Sequence, residues 1–329
     1  MNILIAAPNR EFRKFIFHEE GIKRLSALGN VFWLDEAQSL AEAVRSIDIV
    51  LTTWRSPRFD ETVIEQADRL KLLAHCAGTV VPYVVPEFFS RGIRVVNAND
   101  ALAHCTAELV MAHIISGVWR IKEYDRILQR GGWSNPREKM PFGLQRSTVG
   151  IVGLGIISRL VMEMLRPFDC KFLLYSSYLK EDEAEGLGAE LVSLDELCKR
   201  SDIVSLHNTL TEKTRGMFGS RQFSLMKDDA LFVNTARGPI VDNKALLDAA
   251  REGRIYISLD VYEKEPASKD SMALAQYDRV CCTPHIGGHC ICYHNRMFGD
   301  MVDEIERFIK GDDLLYEVSY EVYQRQSPY

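Results

Sequence analysis

Three residue types at particular places along the chain could do chemistry together: a glycine-rich turn, an arginine and a histidine. The turn is Val149-Gly150-Ile151-Val152-Gly153-Leu154-Gly155-Ile156-Ile157-Ser158, which follows an apolar run and opens a helical pattern. In such a turn the first glycine allows the tight bend, and the second lets backbone N–H groups come close to a pyrophosphate. That anion then sits at the positive end of the helix, on Gly153, Gly155, Ile156 and Ile157. A third small residue permits close helix–strand packing, and Ser158 stands there. Arg237 follows another apolar run, in Asn234-Thr235-Ala236-Arg237-Gly238. A guanidinium fork binds a carboxylate through two parallel hydrogen bonds and can polarise an adjoining carbonyl. His285, in Thr283-Pro284-His285-Ile286-Gly287-Gly288, can carry a proton near neutral pH. Ketone reduction requires such a group, because hydride on carbon must be matched by a proton on oxygen.

These residues need elements to hold them. Short apolar runs at 3–6, 49–52, 70–75 and 93–97 are strand candidates, and from residue 148 the rhythm becomes cleaner. Further strands are expected at 148–152, 171–175, 203–206, 230–234, 255–259 and 280–283. Helical periodicity lies between them, as in 157–165 and 243–252, and runs longer in 101–124 and 291–310. Strands separated by helices imply right-handed crossovers and parallel sheets, hence an α/β fold. Arg237 then lies beyond a strand's carboxyl end, where open α/β sheets place ligands.

Several segments in one order and spacing resemble a known family, the D-isomer-specific 2-hydroxyacid dehydrogenases, including its phosphoglycerate and glycerate dehydrogenase-like members. They are Ala77-Gly78-Thr79-Val80, Ala107-Glu108, His207-Asn208-Thr209-Leu210-Thr211 with Thr214, Asn234–Gly238, Leu259-Asp260 through Glu265-Pro266, and Thr283–Gly288. Thr209 stands where the family has proline. The resemblance implies a Rossmann-type cofactor domain at 101–289, inserted into a flavodoxin-like substrate domain made of 1–100 and 290–329. It implies catalysis by Arg237, Glu265 and His285, with Glu265 as the acidic partner of the histidine. Ala77, Gly78 and Thr79, with Val80, would present backbone N–H groups to the substrate carboxylate alongside Arg237. The cofactor would be held by the glycine turn and by Ser176, His207, Thr209, Thr214, Thr235, Ala236, Asp260, Gly287 and Gly288. Asp260 would meet the nicotinamide amide.

The implied reaction is NAD(P)-dependent interconversion of a 2-oxo acid and an (R)-2-hydroxy acid. Ser176 stands where an acidic residue would bind the adenosine ribose, so NAD and NADP both remain open. The absence of an arginine there favours NAD. Trp54-Arg55-Ser56, after another strand end, is expected to help select the substrate. A second reading is a dinucleotide-binding regulatory protein with little or no turnover, and formate oxidation on the same scaffold is disfavoured because it needs no proton carrier.

The 329 residues set a prior of two domains, and 47% apolar with 26% charged residues excludes a disordered or collagen-like chain. A net charge of −6 speaks against a nucleic-acid partner. No apolar run near 18 residues is expected, so no membrane partner. Eight cysteines without an export signal are expected as thiols in the cytoplasm, and the spacing of Cys281, Cys282, His285, His289, Cys290, Cys292 and His294 does not match a zinc module. A homodimer formed through 101–124 is the family-based expectation for the assembly.

Overall fold

The computed structural model describes residues 1–133 and 140–326 and divides into two compact units. One comprises Met1–Leu102 with the chain from His289 onward, and the other Ala103–Gly288.

The first unit is built on a five-stranded parallel sheet, ordered β2-β1-β3-β4-β5. Its strands are β1 (Asn2–Ile5), β2 (Asn30–Trp33), β3 (Ile49–Thr52), β4 (Leu72–His75) and β5 (Arg94–Asn97). β3 and β4 are buried at every residue. That follows from the apolar runs 49–51 and 72–74, each closed by a polar residue that pairs with the other, since a parallel sheet covered on both faces has no polar side to show. Helix Ile291–Lys310 covers this sheet with Met297, Phe298, Met301, Val302 and Ile305, all on one stripe and all fully buried.

The second unit carries a seven-stranded sheet ordered β12-β11-β10-β9-β6-β7-β8, with every pairing parallel. These strands are β6 (Thr148–Val152), β7 (Lys171–Tyr175), β8 (Ala189–Leu191), β9 (Ile203–Leu206), β10 (Leu231–Asn234), β11 (Tyr256–Leu259) and β12 (Val280–Cys282). Strand order reverses between β6 and β9, which makes a crevice at their carboxyl ends. Because the register is parallel throughout, residues 153, 176, 207, 235, 260 and 283 all emerge at one edge of the sheet.

Two edge strands, β2 and β8, were not expected from the sequence. Edge position explains this: β2 alternates exposed and half-buried residues, and β8 is three residues long, so neither shows an apolar run. The long helix expected over 101–124 is two helices, Asn99–Val118 and Ile121–Gln129. Arg120 breaks it with a left-handed φ of 55°. The Arg120 side chain is buried, with its guanidinium 5.1 Å from the Tyr256 ring centre and 3.8 Å from Asp229. Contacts with residues more than a hundred positions away thus override local helical periodicity. Asn99–Val118 also corrects the expectation that no segment approaches membrane-spanning length, since by length and composition it is apolar enough to cross one. In the fold it serves as a core helix: Ala107, Val110, Ile114 and Val118 pack with Val149, Ile151, Val161 and Leu231.

Candidate active site

The glycine turn follows β6 directly. Gly153 has φ +95°, and a Cβ there would lie 2.9 Å from the backbone N of Asn208, so only glycine fits. Its N–H donates to the Tyr175 carbonyl at 2.8 Å, tying the turn to the end of β7 just before Ser176. Gly155 caps helix Ile156–Leu165, and a Cβ there would meet nothing within 4 Å. Ser158 is fully buried and its hydroxyl accepts the Gly155 N–H at 2.7 Å, so it does more than fit a tight space. The N–H groups of Ile156 and Ile157, in the helix's first turn, have no helical acceptor.

Across the turn lie two buried polar atoms that find no partner among the described residues, Nε2 of His207 and Oδ1 of Asn208. Burial pushes the His207 imidazole down to about 4, so the ring is neutral at physiological pH. An open glycine cradle, first-turn N–H groups and orphaned polar atoms at a strand-order reversal fit the pyrophosphate and ribose of a dinucleotide. Thr209 is exposed; the Thr214 hydroxyl donates to its carbonyl at 2.7 Å and accepts the Thr211 N–H at 2.8 Å. Thr214 therefore shapes this loop through its own turn.

On the other side of the crevice, Asn234 at the end of β10 organises the segment that carries Arg237. The Asn234 amide donates to the Arg237 carbonyl at 3.1 Å and its oxygen accepts the Ala236 N–H at 3.0 Å. Thr235 is buried beside it. A Cβ on Gly238 would fall 1.9 Å from the Tyr262 carbonyl oxygen, so the backbone after Arg237 lies directly on the 262–265 loop. Burial lowers the pKa of the Arg237 guanidinium, and the nearby Glu265 carboxylate opposes that shift.

Glu265 accepts the Tyr262 N–H at 3.0 Å through one oxygen and meets His285 Nδ1 through the other. Burial would raise the pKa of its carboxyl. The His285 hydrogen bond, the Tyr262 N–H and the charges of His285 and Arg237 outweigh this and hold it below the usual glutamate value. His285 has φ 52°, a left-handed conformation that a non-glycine residue keeps only when its surroundings impose it. Asp260 supplies part of that constraint. It is buried at the end of β11, and its carboxylate accepts the Thr283 hydroxyl at 2.6 Å and the N–H groups of Ile286 and Gly287, both at 2.9 Å. Thr106 adds a hydrogen bond to the Gly287 carbonyl at 3.0 Å.

A residue that sequence reasoning passed over joins this clamp. His113 is buried in helix Asn99–Val118, with Nε2 3.1 Å from the Thr283 hydroxyl. Its place on an apolar helical face gave no cue to a partner 170 positions away.

In the first unit, Ala77, Gly78 and Thr79 follow β4. Asn97 Nδ2 donates to the Gly78 carbonyl at 2.6 Å, and a Cβ on Gly78 would press on Leu102 at 2.6 Å. The Val80 N–H, expected to face a carboxylate, donates instead to Gln326 Oε1 at 2.9 Å, which the Thr79 hydroxyl also approaches at 3.2 Å. Trp54 packs against the rings of His289 and His294, and the Arg55 guanidinium lies over Phe12. Among the described residues no group of three or more His, Cys, Asp or Glu side chains could hold a metal.

Comparison with known proteins agrees with this architecture. Residues 111–287 match the family model of the D-isomer specific 2-hydroxyacid dehydrogenase NAD binding domain. A glyoxylate reductase of Korarchaeum cryptofilum is 33% identical over 328 residues, covering 96% of this chain and 98% of that protein. A D-3-phosphoglycerate dehydrogenase of Methanocaldococcus jannaschii is 35% identical over 299 residues, which is 90% of this chain. The alignment spans only 56% of that longer enzyme. Among solved structures, a glyoxylate reductase from Paecilomyes thermophila superposes with a TM-score of 0.77 at 25% identity, over 98% of this chain and 99% of that one. The chain belongs to the D-isomer specific 2-hydroxyacid dehydrogenases, NAD(P)-dependent oxidoreductases that interconvert 2-oxo and 2-hydroxy acids.

Proposed function

We propose that this chain interconverts a short 2-oxo acid, glyoxylate or one of similar size, and the corresponding (R)-2-hydroxy acid. The observation that carries the proposal is the convergence of Arg237, Glu265 and His285 at the ends of β10, β11 and β12, with Glu265 bonded to His285 and within electrostatic reach of Arg237. The similarity to glyoxylate reductases supports the short substrate.

Arg237 holds the substrate carboxylate through its guanidinium fork. His285 presents the proton for the carbonyl oxygen at the ring nitrogen not engaged by Glu265, and takes it back in the oxidative direction. Glu265 fixes the ring through Nδ1 and balances the charge of the imidazolium. Asp260 holds the loop that carries His285, and its second oxygen keeps capacity for an amide donor. Gly153, Gly155, Ile156, Ile157 and Ser176 would hold the phosphate and ribose end of a bound dinucleotide, which would supply or accept the hydride. His207, Thr209, Thr214, Thr235, Ala236, Gly287 and Gly288 would line the rest of its path. NAD is the preferred cofactor in this reading, because no arginine stands beside Ser176 to grip a 2′-phosphate.

The proposal extends to a cytoplasmic homodimer. All eight cysteines are thiols, which suits a reducing compartment. Large apolar side chains at Ile115, Trp119, Ile121, Leu128, Trp133, Met140 and Phe142 stand exposed within one stretch of chain, a surface that a second copy would cover.

The test is NAD(P)H absorbance followed against a panel of 2-oxo acids with both cofactors. Turnover highest on the shortest acids is expected. Tight cofactor binding without turnover on any of them would overturn the proposal and favour a regulatory protein.

A further inference from the structure

Cys290 and Cys292 bracket the start of helix Ile291–Lys310. Side chains two residues apart on a regular helix point away from each other. Here they meet, with the sulfurs 3.2 Å apart. The cause is local: Cys290 is the cap residue with extended backbone (φ −131°, ψ 135°), which swings its side chain back over the first turn to Cys292. The sulfurs therefore lie within about 1 Å of bonding distance before any rearrangement. Cys292 is exposed and Cys290 half-buried, so an oxidant reaches the pair from solvent.

The other thiols are placed differently. Cys76, Cys105 and Cys198 are buried. Burial pushes the Cys76 thiol far up, the Cys198 thiol up to about 12, and those of Cys170 and Cys282 in the same direction, which keeps them protonated and slow to react.

We propose that Cys290 and Cys292 form a peroxide-oxidisable dithiol that closes to a reversible disulfide within the chain. The sulfur of Cys292, as thiolate, attacks one peroxide oxygen. The O–O bond breaks, the departing oxygen leaves as water, and Cys292 becomes a sulfenic acid. The sulfur of Cys290 then attacks that of Cys292, the S–O bond breaks, the S–S bond forms and a second water leaves. In sum, two thiols give two electrons and two hydrogens to one hydrogen peroxide, producing one disulfide and two waters. A dithiol reductant reverses the change. The proximity of Cys290 spares Cys292 from irreversible oxidation, because the sulfenic acid is captured as soon as it forms.

The experiment treats the fully reduced full chain with one equivalent of hydrogen peroxide, followed by alkylation, digestion and mass spectrometry. The expected result is a peptide containing residues 290–292 that carries no alkyl group, is lighter by two hydrogens, and recovers both thiols with dithiothreitol. Loss of these thiols should run roughly tenfold ahead of loss of Cys170 or Cys281. In Cys290→Ser, Cys292 should instead be trapped as sulfenic acid by dimedone; Cys292→Ser should leave Cys290 reduced over the same exposure. Sulfinic acid on Cys292 in the wild-type chain with Cys290 still alkylated would overturn the proposal. So would prior oxidation of another cysteine while both of these remain alkylated.

Discussion

The Glu265–His285 pair sits on two loops that must be held together, and its electrostatics follow from that closeness. Glu265 stays ionised to lower pH than an ordinary glutamate because His285 and a backbone N–H stabilise its charged form more than burial penalises it. A depressed carboxylate pKa in the folded state stabilises the protein above the unfolded pKa, and that contribution fades as pH falls through the folded value. Replacing His285 with Asn should lower kcat/KM by about 10²- to 10⁴-fold in both directions. Cofactor affinity, measured by NADH fluorescence titration, should stay nearly constant; full activity in this variant would remove His285 from the proton-transfer role. At the cofactor's other end, Ser176 is neutral and follows the strand tied to Gly153. Ser176→Asp should raise the NAD over NADP preference at least tenfold, since a like charge against a 2′-phosphate costs about 1.4 kcal/mol or more. Initial rates with each cofactor check this.

At the scale of elements, the joins between strand ends and loops set the geometry. Gly238 rests on the Tyr262 carbonyl, and this contact aligns the Arg237 segment with the loop carrying Glu265. Gly238→Ala must push that loop away. A loss of about 2–4 kcal/mol in stability is expected from overpacking and backbone shift. Thermal unfolding and turnover should fall together, and a variant of unchanged Tm and rate would contradict the contact.

β4 ends in His75, fully buried, with Nδ1 2.9 Å from the Thr52 hydroxyl and its imidazole pushed down to about 3 by burial. Unfolding releases a ring that protonates near pH 6.5. The unfolded chain therefore binds the extra proton below that pH, and stability falls as pH drops from about 6.5 toward 3, by about 1.4 kcal/mol per pH unit for this group. In His75→Gln the slope of unfolding free energy against pH between about 6 and 5 should shrink by roughly that amount, whatever the absolute change in stability. Denaturant titrations at several pH values measure it.

For the whole molecule, the exposed apolar side chains between residues 115 and 142 form one stretch of surface that a second copy of the chain would cover. Trp119→Glu combined with Leu128→Glu should convert the proposed dimer to monomers in sedimentation velocity with an unchanged far-UV spectrum. A wild-type chain that sediments as a monomer at micromolar concentration would end the homodimer reading.

The sequence by itself determined the parallel α/β plan, because buried parallel strands must be continuous apolar runs and each helix between them needs one apolar stripe. It also showed which residue types stand after those runs: the glycines at 153 and 155, Arg237, Asp260 and His285 were legible as strand-end residues. The edge strands β2 and β8 were not, since an edge need not be apolar on both faces. The tertiary structure alone decided contacts between distant positions. The left-handed break at Arg120, the Val80 N–H held by Gln326, the Gly238 backbone on Tyr262 and the Asp260 clamp with His113 beside it are all of this kind. Local periodicity reports only which face of an element is apolar; which donor meets which acceptor depends on how strands align in space, and that register is set by packing of the whole sheet.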